Sequence, residues 1–275
     1  MSLEASQASQ LSPGGVGSLR VGRLSRGRLE VGLIPLGALG LSIGTAAMGL
    51  LVPGRAGTFG LMALLGVASG FAVVPLTALV QSRAPAARRG AIIALVNMLS
   101  FAGMMLGNLG CLALAEAGCD SATILLLAAA MMVAVTIWAV RTLPGPLLRV
   151  FAMLIAGALY RSRVAGRDQV PASGGVLLVP NHVSFLDGLL LLAVCARPVR
   201  FVIDETYYER WYVKPLLRPL GAIPILATGG PRVVLRALRD AGAALDEGEV
   251  VCMFAEGEIT RIGSTLPVRR GLQRL

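Results

Sequence analysis

The first half of the chain alternates long apolar stretches with short polar ones. Each apolar stretch is free of Asp, Glu, Lys and Arg and is long enough for a helix to cross the hydrocarbon core of a bilayer, which takes roughly 20 residues. Soluble core helices rarely run this far without a charge, so the pattern predicts a membrane bundle of four transmembrane helices. The four stretches are 32–52, 56–82, 90–115 and 121–140.

Three of these stretches contain a pair of glycines four residues apart. Small residues at this spacing let helix backbones approach closely in lipid. The pairs fit simple packing of the bundle, and they also fit a transport path through it. They are Gly40/Gly44, Gly66/Gly70 and Gly103/Gly107.

After residue 143 the pattern changes. Pro144, Gly145 and Pro146 stop the fourth span, and the apolar run at 147–160 is too short to cross a membrane. Arginines flank that run, so 144–163 is expected to be a linker with a helix lying at the membrane surface.

From residue 164 short apolar runs alternate with helical patterns, which predicts an α/β domain over 164–275. The strands are expected at 175–179, 199–203, 222–226 and 249–254. Helices are expected at 186–195 and 231–245, and 207–217 forms a further amphipathic segment.

Arginines are unevenly divided among the loops. They cluster in the N-terminal segment 1–31, in the second loop and after the fourth span, whereas the first loop has one and the third has none. Because positively charged loops stay on the cytoplasmic side, both ends of the bundle and the α/β domain are expected to be cytoplasmic. The predicted location is the inner (cytoplasmic) membrane.

Composition and charge indicate which classes of binding partner to expect. The net charge is +10 and charged residues make up only 15%. The basic residues flank apolar segments instead of forming a stripe with interleaved aromatics, so membrane phospholipids are expected as partners and nucleic acid is not. The four cysteines form no CxxC pair, and with one histidine they make no zinc ligand set. They are interpreted as buried apolar residues, and no metal is expected.

The candidate chemistry centres on the single histidine, His182. It directly follows a predicted buried strand, and Asp187 lies five residues on, at the start of a helix. A neutral imidazole can take a proton from a hydroxyl, and a carboxylate can fix its tautomer. In an alternative interpretation His182 caps the helix and Asp187 is an ordinary acid of its first turn.

The full string Asn181-His182-Val183-Ser184-Phe185-Leu186-Asp187 resembles the Asn-His-x-Ser-x-x-Asp signature of the glycerophospholipid (lysophosphatidate-type) acyltransferase family. Two later blocks, at 220–225 and 254–261, resemble the family's next two in the same order. The resemblance implies that His182 is the general base and Asp187 its orienting partner. The implied substrate-binding residues are Asn181, Ser184, Gly221, Glu256, Gly257 and Arg261.

This resemblance also implies a reaction. An acyl chain would pass from acyl carrier protein or acyl-CoA to the free hydroxyl of a lysophospholipid of the lysophosphatidate or lysophosphatidylethanolamine type. No cofactor is implied beyond that acyl donor. The third block departs from the family pattern, with Ala255 in place of Pro and Ile259 in place of a common Arg.

The four spans resemble the last four of a major facilitator transporter, through the basic motif at 22–28 and the loop at 83–90. Together with the acyltransferase blocks they resemble the bacterial bifunctional lysophospholipid transporters and acylglycerophosphoethanolamine acyltransferases. By that comparison the chain is expected to be a fragment, incomplete at both ends. The alternatives to the enzyme are a lysophospholipid transporter fragment and an inactive remnant.

Overall fold

The structure is a computed structural model that describes residues 30–51, 54–160, 163–166, 169–184, 186–226 and 230–254. The chain divides into two compact units, Met1–Leu147 and Leu148–Leu275. Each unit is built around its own secondary structure.

The described part of the first unit contains four long helices. By length and composition all four are apolar enough to cross a membrane. Their ends lie within two residues of the ends predicted from the apolar stretches, and a single 3-10 turn at Ala86–Arg88 precedes the third. The helices are α1 (Leu33–Leu51), α2 (Arg55–Arg83), α3 (Arg89–Glu116) and α4 (Ser121–Thr142).

Helix α1 packs against both α2 and α4. A Cβ added at Gly40 would lie 2.8 Å from the Cβ of Ala68, so the glycine allows the close approach of α1 and α2 that its spacing predicts. Toward α4, the buried hydroxyls of Ser42 and Thr136 are hydrogen-bonded at 3.0 Å. Each hydroxyl thereby finds a polar partner inside an apolar bundle.

The glycine pair on α3 behaves differently. A Cβ at Gly103 or Gly107 would meet nothing within 4 Å, and α3 has no buried residue. Within the described chain this pair therefore mediates no helix packing.

Helix α5 (Pro144–Leu159) carries most of its length into the second unit. Ala152 and Ala156 are buried in that unit's core, whereas Phe151 and Leu154 are 43% and 45% exposed. One face thus packs inside the protein and the other remains apolar and open. That this open face lies on a membrane stays a prediction.

The second unit contains a parallel sheet of four strands within its described residues, in the order β1-β4-β2-β3. The structure has a strand at each of the four predicted positions, with ends that differ by one residue at most. The strands are β1 (Val176–Leu178), β2 (Val199–Asp204), β3 (Ile223–Ile225) and β4 (Val250–Met253).

Helices cover both faces of this sheet. Side chains alternate between faces along a strand, and Phe201 packs in one core cluster while Val202 packs in the other. The first cluster takes in α5 and the helix after β1, and the second takes in the helix before β4. In chain order the helices are α6 (Asp187–Val194), α7 (Glu205–Tyr208), α8 (Lys214–Leu217) and α9 (Pro231–Asp246).

The amphipathic segment expected at 207–217 is not one helix. It is divided into α7 and α8, and five residues separate them. Pro215 explains the break, because it has no N–H to donate to the carbonyl of Trp211 and its ring would clash there. Proline is tolerated in the first turn of α8, where that N–H would be unpaired in any case.

The cysteines divide into two pairs. Cys195 and Cys252 are buried as expected, at 6% and 0% exposure, and the prediction is confirmed for them. It is wrong for Cys111, which is exposed, and for Cys119, which is half-buried. Burial, and then the nearby Cys195, raise the pKa of the Cys252 thiol to about 12. The reactive thiolate is therefore scarce at neutral pH, and Cys252 acts as a packing residue.

Candidate active site

The turn between β1 and α6 brings His182 and Asp187 together. The Nδ1 atom of His182 lies 3.0 Å from the Oδ2 atom of Asp187. Both side chains are 18% exposed, so the pair is mostly shielded yet reachable from solvent. Asp187 is the first residue of α6, and the turn before it provides the close approach that a regular helix would not give at this spacing.

Asp187 also organises the turn itself. Its Oδ2 atom accepts hydrogen bonds from the backbone N–H groups of Val183 and Ser184, at 2.7 and 2.8 Å. The Ser184 hydroxyl accepts a further bond from the N–H of Leu186 at 3.2 Å. Backbone donors therefore hold the carboxylate in place, and the carboxylate in turn orients the imidazole.

These contacts assign the tautomer of His182. A carboxylate oxygen accepts hydrogen bonds and cannot donate them. The Nδ1 atom that faces Asp187 must therefore carry the hydrogen, which leaves the lone pair on Nε2. A neutral imidazole in this state can accept a proton at Nε2 while the carboxylate stabilises the resulting positive charge.

The alternative in which His182 caps the helix does not describe this turn. The capping position of α6 is Leu186, which makes no side-chain capping hydrogen bond. The imidazole of His182 is hydrogen-bonded to Asp187 instead. Asp187 does lie in the first turn, but its carboxylate binds the preceding loop and the imidazole.

Phe254 stacks on the imidazole of His182. The ring centroids are 4.0 Å apart and the planes differ by 24°. Because β4 runs parallel to β1 and next to it, Phe254 at the end of β4 reaches the same edge of the sheet as His182. Sequence reasoning assigned Phe254 no role. An aromatic residue at the end of a buried strand was the available signal, but chain order does not reveal that β1 and β4 are neighbours.

We expect Phe254→Leu to remove the stack while keeping the site apolar. The turnover number should fall about 2- to 10-fold, which is what one aromatic contact contributes, with little change in KM. Since His182 is the only histidine, its ring proton resonances are identifiable by NMR. They should move downfield when the shielding Phe ring is lost. Phe254→Tyr is the matched control and should keep both values, and unchanged resonances in Phe254→Leu would contradict the stack.

Gly221 lies elsewhere on the sheet. It ends a 3-10 turn in a left-handed conformation (φ +65°), and its carbonyl accepts a 3.0 Å hydrogen bond from Arg200 Nε. Arg200 also pairs with Glu249 at 2.8 Å. Gly221 and Glu249 precede β3 and β4, whereas His182 follows β1. The structure therefore does not bring Gly221 to His182, and its described contacts shape a turn.

The remaining predicted residues have different outcomes. Asn181 is exposed directly before His182, and Ser184 shapes the turn through its hydroxyl and its backbone. Glu256, Gly257 and Arg261 lie outside the described residues, and so does the rest of the third block after Phe254.

Comparison with known families gives one match. Residues 161–275 match the family model described as Acyltransferase. This range contains His182, Asp187 and Phe254, and the match supports an acyltransferase domain in the second half of the chain. No solved structure matches the chain.

Proposed function

We propose that this chain transfers an acyl chain from acyl carrier protein or acyl-CoA to the free hydroxyl of a lysophospholipid. The observation that carries the proposal is the 3.0 Å contact between His182 Nδ1 and Asp187 Oδ2, which leaves Nε2 available as a base. Acyl transfer is the chemistry of the family that residues 161–275 match. That the acceptor is a lipid is supported by the four apolar helices and by the resemblance of residues 181–187 to the acyltransferase signature.

In the proposed reaction the oxygen of the acceptor hydroxyl attacks the thioester carbonyl carbon, and His182 Nε2 takes the proton of that hydroxyl. The carbon–sulfur bond then breaks, and the thiolate leaves and receives the proton held by the imidazolium. The products are an ester and a free thiol. Asp187 keeps Nδ1–H directed at itself throughout and stabilises the imidazolium. No acyl-enzyme intermediate is needed.

A lipid acceptor fits the rest of the chain. The first unit has four helices that are long and apolar enough to cross a membrane, and they keep the acyltransferase domain attached to any bilayer that they enter. Lysophospholipids reside in that same bilayer, so enzyme and acceptor share one surface. The arginine pattern of the loops favours the cytoplasmic face, where acyl carrier protein and acyl-CoA are found.

The first experiment offers labelled acyl carrier protein and acyl-CoA to the 275-residue chain in detergent, with lysophosphatidate, lysophosphatidylethanolamine and other lysophospholipids as acceptors. Thiol release and diacyl product are both measured. We expect equal amounts of the two with at least one acceptor, and no thiol release with diacyl phosphatidylcholine, which has no free hydroxyl. Thiol release that does not depend on the acceptor would indicate a thioesterase and contradict the proposal.

A further inference from the structure

The chain segment that connects β2 to β3 in the second unit carries an aromatic and basic surface, the 207–216 surface. Trp211 is 86% exposed, an unusual position for the largest apolar side chain. Clusters of exposed apolar side chains mark interaction sites more often than chance. The other large exposed side chains of this surface are Tyr207 (41%), Tyr212 (48%) and Leu216 (51%).

Cations are placed directly among these rings. The guanidinium carbon of Arg210 lies 4.6 Å from the centroid of the Tyr207 ring. The ammonium of Lys214 lies 5.9 Å from the centroid of the Tyr208 ring and also pairs with Glu209. Aromatic residues beside long basic side chains are typical of the boundary between bilayer and water, where the rings enter the headgroup layer and the charges stay hydrated.

The surface begins at the same edge of the sheet as the candidate active site. Helix α7 directly follows the carboxyl end of β2, and β2 pairs in parallel with β4, which pairs in parallel with β1. The carboxyl ends of β4 and β1 lead to Phe254 and His182. A partner that binds the 207–216 surface is therefore brought toward the edge of the sheet that carries His182.

We propose that the 207–216 surface docks on an anionic phospholipid bilayer and holds this edge of the sheet at the lipid–water boundary. Three observations favour a lipid occupant over a protein. The surface carries a net positive charge, with Arg210 and Lys214 against Glu209. The chain carries four helices apolar enough to span a bilayer, and they tether the second unit to any bilayer that they enter. The exposed side chains are those that populate membrane boundaries.

The inference rests on the proposed function in one respect, namely that the substrate is a lipid. Docking would shorten the path of a lysophospholipid hydroxyl from the headgroup layer to His182. The surface itself can be tested without any turnover, and the failure of one proposal is therefore distinguishable from the failure of the other.

The test uses tryptophan fluorescence, because the chain has only two tryptophans. Trp138→Phe leaves Trp211 as the sole reporter in the 275-residue chain. The protein is reconstituted in vesicles of phosphatidylcholine and phosphatidylglycerol, with brominated phosphatidylcholine as a quencher from the lipid side and iodide as a quencher from the water side. The matched control moves the reporter to the exposed Ala243 near the end of α9, as Trp138→Phe/Trp211→Phe/Ala243→Trp.

If the surface docks on lipid, Trp211 should be quenched by the brominated lipid and shielded from iodide, and the reporter at 243 should behave in the opposite way. Removing phosphatidylglycerol should weaken the lipid quenching of Trp211. Iodide quenching of Trp211 as strong as that at 243, without lipid quenching, would overturn the proposal. Shielding of Trp211 that arises only when acyl carrier protein is added would also overturn it, in favour of a protein partner.

A second measurement compares acceptors. In Trp211→Ala/Tyr212→Ala, the ratio of kcat/KM for a vesicle-embedded lysophospholipid to that for a water-soluble short-chain analogue should fall about 3- to 10-fold, as expected for the loss of an interfacial aromatic contact. An unchanged ratio would contradict a role of docking in acceptor delivery. If neither acceptor is used by the unmutated protein, the proposed function fails while the fluorescence result stands.

Discussion

His182→Ala should reduce acyl transfer about 10²- to 10⁴-fold, the usual contribution of a general base. The alanine has no atom that can take the acceptor proton, and the Oδ2 atom of Asp187 is occupied by two backbone N–H groups. The loss should appear in kcat, because the base acts as the hydroxyl attacks. The measurement is the rate of diacyl product formation with the preferred acceptor.

The control for this variant is Val183→Ala, in the same turn. The Val183 side chain is 51% exposed, and only its backbone contributes to the hydrogen bonding around Asp187. This variant should retain nearly full turnover, and both proteins should elute and unfold like the parent. Turnover in His182→Ala equal to that of Val183→Ala would remove His182 from the mechanism.

The sequence was most informative about the elements with the strongest patterns. The four apolar stretches and the four short strand runs are found within one or two residues of their predicted ends, because the length and pattern of their apolar residues specify them. The segment at 207–217 was interpreted as one amphipathic unit, and there the missing N–H of Pro215 outweighs the periodicity. Local chemistry overrides pattern at such positions.

The site was predictable as far as it is local. Asp187 lies five positions after His182, so a single turn can bring them together, and the motif contains both. The position of Phe254 depends instead on the order of strands in the sheet. β4, the last of the described strands, lies next to the first, which brings Phe254 onto the imidazole. Gly221 precedes β3 and so lies near the opposite edge, where its carbonyl accepts a hydrogen bond from Arg200. Chain order does not reveal that β1 and β4 are neighbours.

Asp187→Asn should remove the negative charge at this position while keeping an oxygen that accepts the same hydrogen bonds. Two backbone N–H groups converge on Oδ2, at 2.7 and 2.8 Å, and both require an acceptor there. The asparagine should therefore place its carbonyl oxygen at that position and its amide group away from it. The imidazole then keeps its Nδ1–H tautomer but loses the negative charge that stabilises the imidazolium.

The expected loss of kcat in Asp187→Asn is about 10- to 100-fold, the value of one hydrogen bond to a charged group. Asp187→Ala should lose more, because it also leaves the two backbone donors of the turn unpaired and the imidazole unoriented. Nitrogen NMR of the single histidine, labelled with ¹⁵N, reports the tautomer directly. Full turnover in Asp187→Asn would show that the charge is unused. A reversed tautomer with activity as low as in His182→Ala would show that the backbone groups do not hold the amide in place.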